Sequence, residues 1–357
     1  MRSHVAIALA TVLAAGWSGA PAFGGESKVW PRDWPVYRHI VIVLEENKDY
    51  DQIVGNPAAP YLNQVLRAQG ANLTRMYGEE HLSEGNYFWL LSGSNQGVGF
   101  RDETPGAFIQ APSLGGQLFA TRSPEEPEKY LSFKGYAEDL PEPGSLADTA
   151  RPYYARKHAP YVSFRDLHDN GRDRLVNLPF KAFPTTPGQF DELPTVAMVI
   201  PDLINDMHGV SEGEFAGHDD DYWIHRGDEW LRGHLDAYYQ WARTHDSLLI
   251  VTFDENTDGT RFIGPTNPAL GPDSLGQNPP GEVARALKVV ENRIPTLIAG
   301  AYVNHGDFGE GRGVNHVNLL RTLEAMYGLP GIGAQQVNAA KAGIDDRFIW
   351  DVFAKTR

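Results

Sequence analysis

The run His39-Ile40-Val41-Ile42-Val43-Leu44 is apolar and β-branched without alternation, the pattern of a strand buried on both faces. Three later runs share it: Thr195 to Ile200, Ser247 to Phe253 and Ile294 to Ala299. Between and after them the apolar positions take helical spacing. Pro60 to Gly70 carries Leu62, Val65 and Leu66 and ends on glycine. Asp228 to Arg243 carries Leu231, Leu235, Tyr238, Tyr239 and Ala242. Asn315 to Tyr327 starts on a capping residue, carries Leu319, Leu320, Leu323 and Met326, and is closed by Gly328 and Pro330. Strands alternating with helices predict an α/β fold, a mostly parallel central sheet with helices on both faces. Residues 97–130, 139–152 and 256–290 are rich in Pro, Gly and charge and read as loops. No repeat and no domain linker is evident.

The composition narrows the function classes. The chain has 357 residues, 41% hydrophobic and 22% charged, enough to bury a core and unlike a disordered protein. The 37 Gly and 25 Pro have no period, which excludes a collagen-like chain. Lys and Arg number 31 against 46 Asp and Glu, a net charge of -15, which disfavours nucleic acid and anionic membrane as partners. There is no cysteine, hence no disulfide, thiolate metal site or cysteine nucleophile. Arg2, the apolar stretch Val5 to Trp17 and the Ala20-Pro21-Ala22 site follow one another as in a cleavable signal peptide. Residues 1–22 therefore read as a leader and 23–357 as a single exported domain, secreted or periplasmic, with loop insertions at 97–130, 211–227 and 256–290. No other apolar run reaches the roughly 18 residues of a membrane-spanning helix.

Acidic residues sit where the strand-like runs end. Leu44 is followed by Glu45-Glu46-Asn47, Ile200 by Pro201-Asp202 with Asn205, Asp206 and His208 beyond, and Phe253 by Asp254-Glu255-Asn256. In a parallel sheet these ends meet at one edge, where such folds place ligands. Gathered carboxylates repel unless protons or a cation separate them, and oxygen donors with imidazole nearby suit Mg, Ca, Mn or Zn. The segment His81 to Gly93 has a polar start and an apolar continuation, a loop entering a helix at about Gly85. Ser83 there is either a helix cap or a nucleophile, with Asn86 placed to donate to a phosphoryl oxygen.

Seven stretches in order resemble the bacterial phosphoesterase family that includes acid phosphatases and phosphatidylcholine-type phospholipases C, within the alkaline phosphatase-like superfamily. They are Val41 to Asp51, His81 to Gly93, Phe133 to Asp139, Tyr154 to Pro160, Val199 to His208, Leu248 to Asn256 and Asn315 to Glu324. The resemblance spans roughly 38–330 and implies an alkaline phosphatase-like fold. It implies Ser83 as nucleophile through a covalent phosphoryl-enzyme, and Asn86 as phosphate ligand. Glu46, Asn47, Asp254 and Glu255 would hold a divalent metal ion. Asp202, Asp206 and His81 would stand on the second-metal or phosphate side, and His208 and His316 would be hydrogen-bond donors or general acid. One metal is expected, with a second position open and the identity unassigned.

The chain departs from the family pattern at Gly85 and Leu82, where Pro is usual, at Lys48, and in the inserted segment Ser211 to Gly227, which bear on substrate more than on chemistry. His158 and Glu138 read as structural polar groups, and His225, His234 and His245 as surface residues. The leading function is a secreted, metal-dependent phosphomonoesterase acting on a small-molecule or lipid phosphate ester. A phospholipase C-type phosphodiesterase is the alternative, and a noncatalytic metal- or phosphate-binding protein the rival class. Oligomeric state is left open.

Overall fold

The computed structural model describes residues 29–79, 82–98, 104–257, 292–309, 313–333 and 347–356. The expected leader and nearly all of the 256–290 loop lie outside the described residues. Eight strands form the main sheet. They are β1 (His39–Glu45), β2 (Ala71–Leu73), β3 (Phe133–Ala137), β4 (Asn177–Pro179), β5 (Val196–Ile200), β6 (Ser247–Phe253), β7 (Thr296–Gly300) and β8 (Gly306–Phe308). Their spatial order is β8-β2-β7-β6-β1-β5-β3-β4.

The central strand β1 runs parallel to both neighbours, with Ile40 opposite Val196 of β5 and Leu248 of β6. Strands β3 and β4 continue parallel beyond β5. Strand β7 is antiparallel to β6 and β2, while β8 is parallel to β2. The expected mostly parallel α/β sheet is thus present, with β7 the reversed strand. All residues of β1, β5 and β6 are buried, so both faces of the sheet centre are covered. This is why their sequences lack alternation.

Three long helices matter for the site: α1 (Ser83–Ser92), α2 (Asp220–Ala242) and α3 (His316–Tyr327). Helix α3 starts where the pattern places it, with a reciprocal Asn315–Asn318 cap (3.1 and 2.9 Å), and stops at Gly328 in a left-handed conformation (φ 67°). Every residue of α1 is buried, which hides any amphipathic signal. Helix α2 buries Leu231, Leu235, Tyr238 and Ala242 and exposes His225 and His234, and His245 just past its end is exposed too, as expected. Its Tyr238 hydroxyl donates to the carbonyls of His39 (3.2 Å) and Leu248 (2.9 Å), pinning the starts of β1 and β6.

The structure corrects three boundaries. Helix α2 begins at Asp220 rather than Asp228, so residues 220–227, nearly half of the supposed insertion 211–227, are regular helix. Asp219 caps it, its Oδ1 accepting from the Tyr222 N–H (3.0 Å), and Asp220 and Asp221 favour the positive helix end. The 60–70 segment is a wider π-helical turn, Leu62–Leu66, running into Arg67–Gln69. Its first N–H groups, from Tyr61 and Leu62, donate to the Asp228 carboxylate (2.8 Å each). The 97–130 loop contains the helix Leu114–Ala120.

Replacing Asp219 with Ala should lower unfolding free energy by about 1 kcal/mol in denaturant titration, the usual worth of a cap. A loss below about 0.3 kcal/mol would mean that α2 does not depend on this start.

Candidate active site

Because β1 lies between β5 and β6 and parallel to both, three loops leave the sheet side by side. The hydrogen-bond ladder continues past the strand ends. The Glu46 N–H donates to Asp206 O (2.8 Å), and the Asp254 N–H to Glu45 O (3.2 Å). Asn47 then turns left-handed (φ 46°), a conformation Asn tolerates better than most residues. The turn aims its N–H at Asp254 Oδ1 (2.9 Å). Glu46, Asp206, Asp254 and Glu255 are all buried.

Ser83 enters this group as the first residue of α1. Its Oγ lies 3.2 Å from Glu46 Oε2 and 3.2 Å from Glu255 Oε1. The cap position belongs to Leu82, which makes no side-chain cap, so the capping alternative for Ser83 is excluded. Asn86, on the same helix, accepts the Glu79 N–H at Oδ1 (2.9 Å), which orients its amide. His208 is 51% exposed at the mouth, its ring 3.3 Å from Asn47 Nδ2 and 3.9 Å from Glu46 Oε2.

Other candidates are placed differently. Asp206 uses Oδ1 to accept the N–H groups of His208 (3.0 Å) and Gly209 (3.3 Å), holding its own turn. Asp202 accepts the Ile204 N–H (3.1 Å), and its own N–H donates to Glu138 Oε2 (3.1 Å). Glu138 also takes the Trp230 indole N–H (2.9 Å), in keeping with the structural role expected of it. His316 is 1% exposed with both ring nitrogens engaged, Nδ1 on Glu79 Oε2 (2.6 Å) and Nε2 on Phe253 O (2.8 Å). It holds the floor of the site and has no ring nitrogen left for a leaving group, which corrects the general-acid role implied for it. His81 lies outside the described residues.

Sequence reasoning ranked His158 too low and did not single out Glu79. The buried His158 sits with Nε2 3.2 Å from Glu46 Oε1 and Nδ1 3.8 Å from Asp206 Oδ2. Its signal was its place in the stretch Tyr154 to Pro160, one of the seven that resemble the family. Glu79 carried no local signal, since its partners lie 237 residues away on α3.

Electrostatics follow from burial. Burial, with Glu255 adding repulsion, raises the Asp254 pKa to about 7. Burial likewise raises Asp206 to about 7, and burial with Glu138 raises Asp202 to about 8. Burial first, then Lys157 and His208, pushes His158 well below its ordinary value. Burial, the largest single influence, would lower His316, but the Glu79 carboxylate, the Phe253 carbonyl and Asp254 together outweigh it and the net shift is upward. The acids at the strand ends therefore cannot all ionise near neutrality without a counter-charge.

The residues at the strand ends offer oxygen atoms to a divalent cation. Asp254 Oδ2 and Asn47 Oδ1 are buried without a hydrogen-bond partner among the described residues, and Glu46 and Glu255 both converge on Ser83 Oγ. This oxygen chemistry fits a hard cation. Among the described residues no group of three or more His, Asp or Glu side chains is arranged so that it could hold a metal ion. Of the expected second set, Asp202 and Asp206 each accept backbone N–H groups of their own turns, and His81 lies outside the described residues.

The chain is similar to known phosphoesterases. Residues 58–330 match the model of the Phosphoesterase family. The phosphatidylinositol-3-phosphatase of Mycobacterium tuberculosis is 36% identical over 326 residues, 91% of this chain and 87% of that protein. The acid phosphatase of Aspergillus fumigatus is 28% identical over 229 residues, 60% of this chain but 43% of its own length. Distant structural likenesses include an alkaline phosphatase superfamily protein from Vibrio parahaemolyticus (TM-score 0.44, 14% identity, 83% of this chain and 69% of that one). Another is the lipoteichoic acid synthase LtaP of Listeria monocytogenes (TM-score 0.44, 14% identity, 88% and 79%).

The raised Asp254 pKa has a measurable sign. In chelator-treated protein the native state holds a proton that the unfolded chain releases near pH 4. This group's stability is thus present below pH 4 and lost as pH rises through about 7. Thermal unfolding of Asp254→Asn in chelator should show a higher Tm than the parent at pH 8, with the gain shrinking towards pH 4. An equal or lower Tm at pH 8 would contradict the electrostatic account.

Proposed function

The chain belongs to the phosphoesterase family and is a hydrolase of phosphoric esters, and we propose that it cleaves phosphate monoesters through Ser83. The observation that carries this reading is the Ser83 hydroxyl held 3.2 Å from each of two buried carboxylates at a helix N-terminus. The α1 end offers unpaired N–H groups and a positive dipole to a phosphoryl group. Ser83 Oγ would attack phosphorus, its proton passing to Glu46 or Glu255, and the ester oxygen would leave. His208, exposed at the mouth beside Asn47 and Glu46, is suited to protonate that oxygen and then to deprotonate the water that hydrolyses the phosphoserine. Asn86 borders the phosphate on the same helix, and His158 steadies Glu46.

Glu46, Asn47, Asp254 and Glu255 would hold one divalent cation. Such a cation, when bound, neutralises the crowded carboxylates and lowers the serine pKa. Both curated relatives are named as phosphatases, one of them of a phosphoinositide, which supports a monoester over a diester and admits lipid head groups as substrates. The leader over 1–22 supports export of the enzyme. Among the described residues no helix is long and apolar enough to cross a membrane.

Ser83→Ala should reduce kcat on p-nitrophenyl phosphate by about 10³-fold or more with the fold intact by circular dichroism. Unchanged turnover would sink the serine mechanism, and a parent preference for p-nitrophenylphosphorylcholine would favour the diesterase. Adding Mg, Mn or Ca to chelator-treated protein should raise Tm by several degrees, an effect that Glu46→Gln or Asp254→Asn should abolish. No shift with any of these ions would remove the cation from the proposal.

A further inference from the structure

The buried Glu79–His316 pair closes a ring of contacts around the site. Starting on α1, Asn86 Oδ1 accepts the Glu79 N–H (2.9 Å). Glu79 Oε1 accepts the Val317 N–H (3.0 Å) in the first turn of α3, and Oε2 accepts from His316 Nδ1 (2.6 Å). His316 Nε2 donates to the carbonyl of Phe253 (2.8 Å), the last residue of β6. The chain then runs through Asp254 to Glu255, whose Oε1 accepts from Ser83 Oγ (3.2 Å). One turn of α1 separates Ser83 from Asn86, so the path returns to its start. Glu79, His316 and Asn86 are 4%, 1% and 0% exposed.

The backbone before Glu79 is held as closely. Gly78 donates to Asn292 O (2.8 Å), and a Cβ there would lie 2.7 Å from Asp254 O. A carboxylate accepting from two donors and an imidazole donating from both nitrogens cannot shift without stranding a buried charge.

We propose that Glu79 is a positioning residue: acting through His316, it sets the Phe253–Glu255 turn against Ser83, so that its loss slows turnover without weakening substrate binding. This rests on the serine mechanism above. Small misplacement of reacting groups costs about 10²-fold in favourable cases, far more than surface changes do.

Glu79→Ala would leave a buried imidazolium unpaired and risks misfolding, so the tests are Glu79→Gln, His316→Gln and the double variant, each assayed on p-nitrophenyl phosphate beside Ser83→Ala. The His316 ring N–H protons are followed by NMR and the fold by circular dichroism and Tm. The expected result is loss or displacement of those N–H resonances in Glu79→Gln. With it should come a fall in kcat of about tenfold or more, KM within about twofold, and a double variant no slower than the slower single. Displaced resonances with kcat within twofold of the parent would overturn the positioning role while leaving Ser83 catalysis standing. A KM rise at unchanged kcat, or single effects that multiply in the double variant, would also overturn it. Parent turnover that survives Ser83→Ala would instead sink the serine mechanism, and the positioning role with it.

Discussion

Crowded negative charge at one sheet edge is the constraint around which the rest of the molecule is arranged. Glu46, Asp206, Asp254 and Glu255 are buried within reach of one another because β1 lies between two parallel neighbours and each strand ends on acids. Like charges in a poorly solvated site are costly, and burial answers by raising the pKa of Asp254 and Asp206 to about 7. A site in that state is costly by itself, and the cation proposed above would relieve that cost. On the mechanism proposed above, the Ser83 proton would have a carboxylate oxygen on either side to accept it, from Glu46 and from Glu255.

The scaffold that tolerates this crowding is stiff. The fully buried strands β1, β5 and β6 leave no slack in register, and the ladder extends one residue past their ends, so Glu46 and Asp254 are placed by backbone hydrogen bonds as well as by packing. Tyr238 ties the opposite ends of β1 and β6 to α2. Helix α1 is buried along its whole length, so Ser83 is delivered by a rigid element and not by a loop. Preorganisation of this kind allows fixed groups to act on developing charge without reorganising at the moment of reaction.

Specific residues show how far a linear reading reaches. The acids after the strands, Ser83 with Asn86, and the Asn315 cap with its Gly328 stop were legible because each is a local pattern with a local physical cause. The start of α2 was missed although Asp219, Asp220 and Asp221 form a good helix beginning, because apolar spacing weighed more than capping chemistry. His158 looked structural because an isolated histidine carries no sign of what faces it. His316 was given a chemical role that its surroundings withdraw, since Glu79 and the Phe253 carbonyl occupy both ring nitrogens.

The sequence by itself determined the alternation of strands and helices, the acids at the strand ends, the absence of thiol chemistry and the phosphoesterase family. These depend on residue type and on spacing within a few turns. Only the tertiary structure decided which acids meet, that Ser83 lies between Glu46 and Glu255, that His158 joins them, and that Glu79 and His316 brace the floor. Those facts depend on contacts between residues 37 to 237 positions apart, and only strand order, register and helix docking bring such residues within hydrogen-bond distance.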